Sequence, residues 1–121
     1  MKKTLTVAQV QMPVTRDKSE NIAAARRLIR RAARQGAELA MLPEMFCCPY
    51  ENRAFRPYGE PLGGPAQQAV SVLARELGIW IIAGSLPELE GERVYNTAFV
   101  YDDTGRQAAP VSYTHLRAHE T

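Results

Sequence analysis

The stretch from Leu39 to Tyr50, LAMLPEMFCCPY, constrains the fold more than any other part of the chain. An apolar run, Leu39 to Leu42, sits between Glu38 and Pro43. Such a run is long enough for a buried strand and too short for a helix. Proline cannot donate to a sheet ladder, so Pro43 marks the strand's end. Glu44 follows at once, then Met45, Phe46, Cys47, Cys48 and a second proline, Pro49. The expectation is a carboxylate buried at the carboxyl edge of a parallel strand, facing a cavity beneath the following loop. In open α/β sheets that edge is where ligands bind. A carboxylate in apolar surroundings has a raised pKa and can serve as a general base near neutral pH. The bland reading is a solvated loop glutamate, the ordinary situation for this residue type.

The flanking sequence supplies an α/β frame. Leu5 to Met12 alternates apolar and polar residues up to Pro13, the pattern of a strand, with Leu5, Val7 and Gln9 on one face. Asp17 followed by Glu20 fits a helix start of the capping-box kind. From there Ile22, Ala25, Ile29, Ala32 and Ala33 recur at helical spacing, and Gly36 is a natural residue to end the helix. Arg26, Arg27, Arg30, Arg31 and Arg34 fall on this helix. With no aromatic residues between them they read as its solvated side rather than a nucleic-acid surface. Strand, helix and strand in succession predict parallel pairing. Pro65 opens a second helix at the position where proline is tolerated, with Ala66, Ala69, Val70, Leu73 and Leu77 as its buried stripe and Gly78 at its end. Ile79–Ala83 reads as a fully buried strand with Gly84-Ser85 at its carboxyl end. Glu88 to Arg93 reads as a charged turn, Val94 to Tyr101 as a fourth strand, and Asp102–Gly105 as a hairpin turn toward a strand beginning near Arg106. The segment from Met45 to Gly63 reads as a long loop without regular structure, a length that often accompanies function. It carries Tyr50, whose hydroxyl makes it the substrate-binding candidate.

Composition narrows the function. The chain has 121 residues, the size of one domain, and 45% are apolar, too many for a disordered chain. A net charge of +2 argues for neither nucleic acid nor a membrane surface. No segment approaches the roughly 18 apolar residues of a spanning helix. The first residues lack a cleavage site of the secretory kind. Two adjacent cysteines make no disulfide framework, so a reducing cytoplasm is the expected compartment. Gly59, Gly63 and Gly64 lack the preceding strand and the lysine of a phosphate loop.

LPEMFCCPY, together with Gly84-Ser85-Leu86-Pro87 and Tyr95-Asn96-Thr97, resembles the nitrilase (carbon–nitrogen hydrolase) superfamily, and within it the omega-amidase branch. The resemblance runs from about Leu5 to Ala109. It implies the amino-terminal part of an α-β-β-α sandwich, in which one face of the sheet would meet a second sheet. It also implies a cofactor-free, metal-free amidase of small linear amides, with a homo-oligomeric parent. In the mechanism it implies, a cysteine attacks the amide carbon, a glutamate takes the thiol proton and a lysine stabilises the oxyanion. Glu44 matches the glutamate. The lysine and nucleophile belong to later sequence, so the fragment itself is expected to be inactive. Cys47 and Cys48 lie close to Glu44, but free cysteines are more often inert buried residues. Asn96 reads as a residue that satisfies buried backbone or orients the site.

Residues 1–109 are thus expected to form the amino-terminal portion of the hydrolase domain. Residues 110–121 break the pattern, and Val111–Thr121 reads as the in-frame translation of a sequencing adapter, expected to pack poorly and carry no function. Tyr113 stands where the resemblance would place lysine, and the chain's lysines are Lys2, Lys3 and Lys18. His115 and His119 are spaced like ligands on a helix face, but lie in this suspected tail. The competing class is a non-catalytic small α/β domain that binds a ligand or partner.

Overall fold

A computed structural model describes residues 4–116, and of residues 109–116 the backbone alone. In chain order the elements are β1 (Val7–Gln9), α1 (Lys18–Arg34), β2 (Leu39–Met41), α2 (Asn52–Tyr58), α3 (Pro65–Leu77), β3 (Trp80–Glu90), β4 (Arg93–Tyr101) and β5 (Gln107–Leu116). The strands form one sheet in sequence order, β1-β2-β3-β4-β5. β1, β2 and β3 are parallel; β4 and β5 are added antiparallel through hairpins.

Local signals set the helices as expected. Asp17 caps α1, its side chain accepting the Glu20 N–H, and Gly36 takes a φ of +96° beyond the helix end. Pro65 starts α3, and Gly78 closes it in the left-handed conformation. Right-handed crossovers between strands laid down in the order 1-2-3 put α1 and α3 on the same face of the sheet. That face holds the main core, where Ala25 and Ile29 of α1 and Val70, Leu73 and Ala74 of α3 meet Ala40, Ile81, Ala83, Phe99 and Tyr101 of the strands.

The opposite face is covered only in part. At the β4 end, Met45, Cys48, Ala54 and Phe55 pack over Val94. At the β1 end, the in-register row Val7, Leu39 and Trp80 has no such cover. Val7 is 47% and Trp80 43% exposed, and Leu39, Met41 and Ile82 are half-buried. The strand at Trp80–Ala83 is therefore buried on its helix face alone, not on both faces as its composition predicts.

Two other expectations are corrected. The segment after Pro49 is not free of regular structure, because α2 forms within it. β3 does not end at Gly84-Ser85; it runs on to Glu90, and its pairing with β4 shifts between Ala83 and Leu86. A glycine inside a strand marks such an irregularity as readily as an end. The hairpin turn to β4 is correspondingly short, at Gly91 and Glu92. β5 continues through Leu116, with Ala98 opposite Val111, Thr97 opposite Ser112 and Asn96 opposite Thr114. A ladder needs only backbone N–H and C=O groups, and a proline is tolerated on an edge strand. Residues 117–121, and with them His119, lie outside the described residues.

Candidate active site

The chain turns sharply as it leaves β2, and three separated motifs meet at that turn. Leu42 donates its N–H to the Ile82 carbonyl at 2.9 Å, so the strand end stays tied to β3. The carbonyls of Leu42 and Pro43 then pass over Gly84 so closely that a Cβ there would lie 2.2 and 2.0 Å from them. Only glycine permits this approach. Met45 has a φ of +53°, the one non-glycine residue with positive φ in the described chain. Left-handed backbone at a side-chain-bearing residue costs about 1–2 kcal/mol, and such strain clusters at functional sites. The buried Ser85 holds the turn in place. Its Oγ accepts the Met45 N–H at 3.0 Å and its carbonyl accepts the Phe46 N–H at 3.2 Å.

Glu44 sits at the apex of this turn and is exposed. This corrects the expected burial. The apolar neighbours Met45 and Phe46 turn inward, to the open-face cluster and the main core respectively, and leave the carboxylate outside. Its Oε2 accepts a hydrogen bond of 2.7 Å from Asn96 Nδ2 on β4. Asn96 is 3% exposed. The Leu-Pro-Glu, Gly-Ser and Tyr-Asn-Thr motifs thus converge, Gly84 making room for the turn, Ser85 fixing it and Asn96 holding the carboxylate. Beside it a groove of about 340 Å³, lined by Gln9, Val10, Met12, Met41, Leu42 and Pro43, opens at the carboxyl ends of β1 and β2.

Tyr50 lies apart from this arrangement. It is 66% exposed, and its ring packs edge-on against Phe55 with centroids 5.5 Å apart. The partner of Glu44 is Asn96, not Tyr50. Cys47 and Cys48 are both buried. Burial pushes each thiol up to about 12, against a partly compensating influence of Lys18. The thiolate is the attacking species, so neither sulfur is poised as a nucleophile. Among the described residues no cluster of three or more His, Cys, Asp or Glu could hold a metal ion. The side chain of His115 lies outside the described ones.

Among the described residues the buried carboxylate is Glu60, which sequence reasoning passed over. It is 1% exposed. Its Oε2 accepts the Ala66 N–H at 2.8 Å and pairs with Lys18 Nζ at 2.7 Å; its Oε1 accepts from Gln67 N at 3.3 Å and Gln67 Nε2 at 3.1 Å. A negative group among the free N–H groups at a helix start is favourable on both hydrogen-bond and dipole grounds. Lys18, which also donates to the Tyr58 carbonyl at 2.9 Å, ties the starts of α1 and α3 together through Glu60. The available signal was a glutamate just before Gly63-Gly64-Pro65; a Cβ on Gly64 would collide with the Glu60 side chain at 2.4 Å.

A strand–helix–strand sheet with a glutamate on a strained turn at its carboxyl edge defines an α/β protein with a candidate carboxylate site. The more particular assignment comes from comparison. The carbon-nitrogen hydrolase family model matches residues 6–119, and the chain belongs to that family. It is 36% identical over 113 residues to an omega-amidase of Danio rerio, which covers 93% of this chain and 39% of the relative. It is 37% identical over 110 residues to the Homo sapiens omega-amidase, covering 91% of this chain and 40% of the relative. The fold matches that of Saccharomyces cerevisiae Nit3, a member of branch 10 of the nitrilase superfamily, with a TM-score of 0.84 and 30% identity, over 92% of this chain and 44% of that one. The chain thus spans about two fifths of the length of these relatives. Among the described residues no helix is long and apolar enough to cross a membrane.

Proposed function

We propose that this chain supplies the base of a cysteine-dependent amidase acting on small linear amides of the omega-amide kind. The observation that carries the reading is the Glu44 turn, a strained connection built from three motifs that presents one hydrogen-bonded carboxylate to solvent. Kinship with omega-amidases supports the substrate class. In the reaction, Glu44 takes the proton of a cysteine thiol, and the thiolate attacks the amide carbon. Glu44 then returns that proton to the departing nitrogen, releasing ammonia, and water hydrolyses the thioester. The nucleophile and the oxyanion cation lie in sequence beyond this chain, and Cys47 and Cys48 do not replace them. Triad-like groups act as a unit, so the 121-residue chain alone has no turnover.

The test is to read the gene past codon 109, express the full-length protein and this chain in parallel, and assay ammonia release from succinamate and glutaramate. The full-length protein hydrolyses both, Glu44→Gln abolishes turnover, and the short chain is inactive. Turnover by the short chain that disappears in a Cys47→Ala, Cys48→Ala double variant would overturn the proposal and make those cysteines the nucleophile.

A further inference from the structure

Among the described residues the amide of Asn96 is used at one end only. Nδ2 donates to Glu44, while Oδ1 is buried and has no hydrogen-bond partner among the described residues. A buried acceptor without a donor is unfavourable, and an apolar residue of similar size would avoid it. The orientation is set by charge: a flipped amide would aim its carbonyl oxygen at the carboxylate. Asn96 also stands on a firm base. It lies within β4, opposite Pro87 of β3 and Thr114 of β5, and its neighbour Thr97 donates to Glu88 at 2.8 Å. Glu44, by contrast, is an exposed side chain on a turn, free to sample many rotamers without this bond.

We infer that Asn96 is the positioning residue of the Glu44 base. By holding Oε2 it fixes the carboxylate plane and leaves Oε1 as the oxygen that receives the proton. The stranded Oδ1 accompanies that task, because the amide is oriented with its nitrogen toward Glu44. Asn96 does not touch the reacting atoms; it acts through Glu44, where small misplacement of a base is costly to rate.

This inference rests on the amidase reading, and the experiment separates the two. In the full-length protein, kcat and KM for succinamate are measured alongside the thermal midpoint for wild type, Asn96→Leu and Asn96→Asp. Asn96→Leu removes both the clamp and the stranded acceptor. Its kcat falls about 10²-fold, the lower end of what a positioned base contributes. Its KM stays within twofold, and its melting temperature equals or exceeds that of wild type. A purely structural asparagine would show the reverse, a lower melting temperature with kcat retained. Asn96→Asp keeps the shape but swaps the donor for an oxygen that repels Glu44, and its kcat falls at least as far at pH 8. Should Asn96→Leu fail to fold, Asn96→Asp decides. A folded variant with kcat within twofold of wild type overturns the positioning role while the amidase reading stands. A full-length wild type without turnover overturns both.

Discussion

Glu60 and Glu44 occupy opposite environments within a short length of chain. Glu60 is shut away from water, its oxygens filled by Lys18, Gln67 and the first N–H groups of α3. Glu44 is open to solvent and bonded to Asn96. The difference shows what burial asks of a carboxylate. A buried one is tolerated only when its lone pairs and charge are answered, and once they are, it has nothing left to offer a substrate. A carboxylate that transfers a proton must retain an unoccupied oxygen, which is the situation proposed for Glu44, exposed and bonded to Asn96. Burial marks the structural glutamate here; backbone strain and motif convergence mark the one proposed as the base.

The largest expected effect is at Lys18. Lys18→Met removes the cation but leaves Glu60 buried and charged. A loss of about 3 kcal/mol is expected, toward the low end for a broken buried pair because Lys18 is 24% exposed. That is roughly a 12 °C fall in melting temperature for a domain of this size. A change under about 2 °C would show that the pair does not hold α1 to α3. At the Glu44 turn, Gly84→Ala forces a methyl group against the Leu42 and Pro43 carbonyls and costs about 2–3 kcal/mol by overpacking. Ser85→Ala strands the Met45 N–H and costs about 1.5 kcal/mol. Both are read by thermal or urea denaturation of the 121-residue chain.

The sheet and its two long helices were legible because their signals are local: Asp17 and Gly36 around α1, Pro65 and Gly78 around α3, Pro43 at the end of β2. What escaped depended on contacts distant in sequence. Gly84-Ser85 looks like a strand end until β2 is known to cross it, when it becomes the irregularity that admits the Pro43 carbonyl. α2 carries Pro57 and lacks a side-chain cap, so nothing local announces it. Glu60 reads as one of several loop carboxylates, since its counter-charge comes from Lys18 on another element. The exposure of Glu44 was misread for a related reason. The apolar residues beside it suggest burial, but the positive φ at Met45 sends their side chains inward and the carboxylate outward. Asn96 was legible as a member of a motif, but its bond to Glu44 needs the β3–β4 register.

A smaller effect concerns the thiols. Cys47 and Cys48 have folded-state values pushed up to about 12 by burial, against an ordinary 9.0. Below pH 9 the thiols are protonated in both folded and unfolded chains and stability does not depend on them. As pH rises from 9 toward 12 the unfolded chain loses these protons first, so stability falls. At pH 8 the thiolate fraction in the folded chain is lowered, so iodoacetamide labels the native protein more slowly than the urea-unfolded one. Equal labelling rates would show that the sulfurs are accessible and reactive.

The division of labour between the two carboxylates is tested most directly by the thermal midpoints of Glu60→Gln and Glu44→Gln, measured side by side in the 121-residue chain. Glu60→Gln sets an amide N–H₂ against the α3 N–H groups and leaves Lys18 without its counter-charge; a loss of about 2 kcal/mol, near 8 °C, is predicted. Glu44→Gln changes an exposed group and shifts the midpoint by less than about 2 °C. A large fall for Glu44→Gln with Glu60→Gln unchanged would contradict the account.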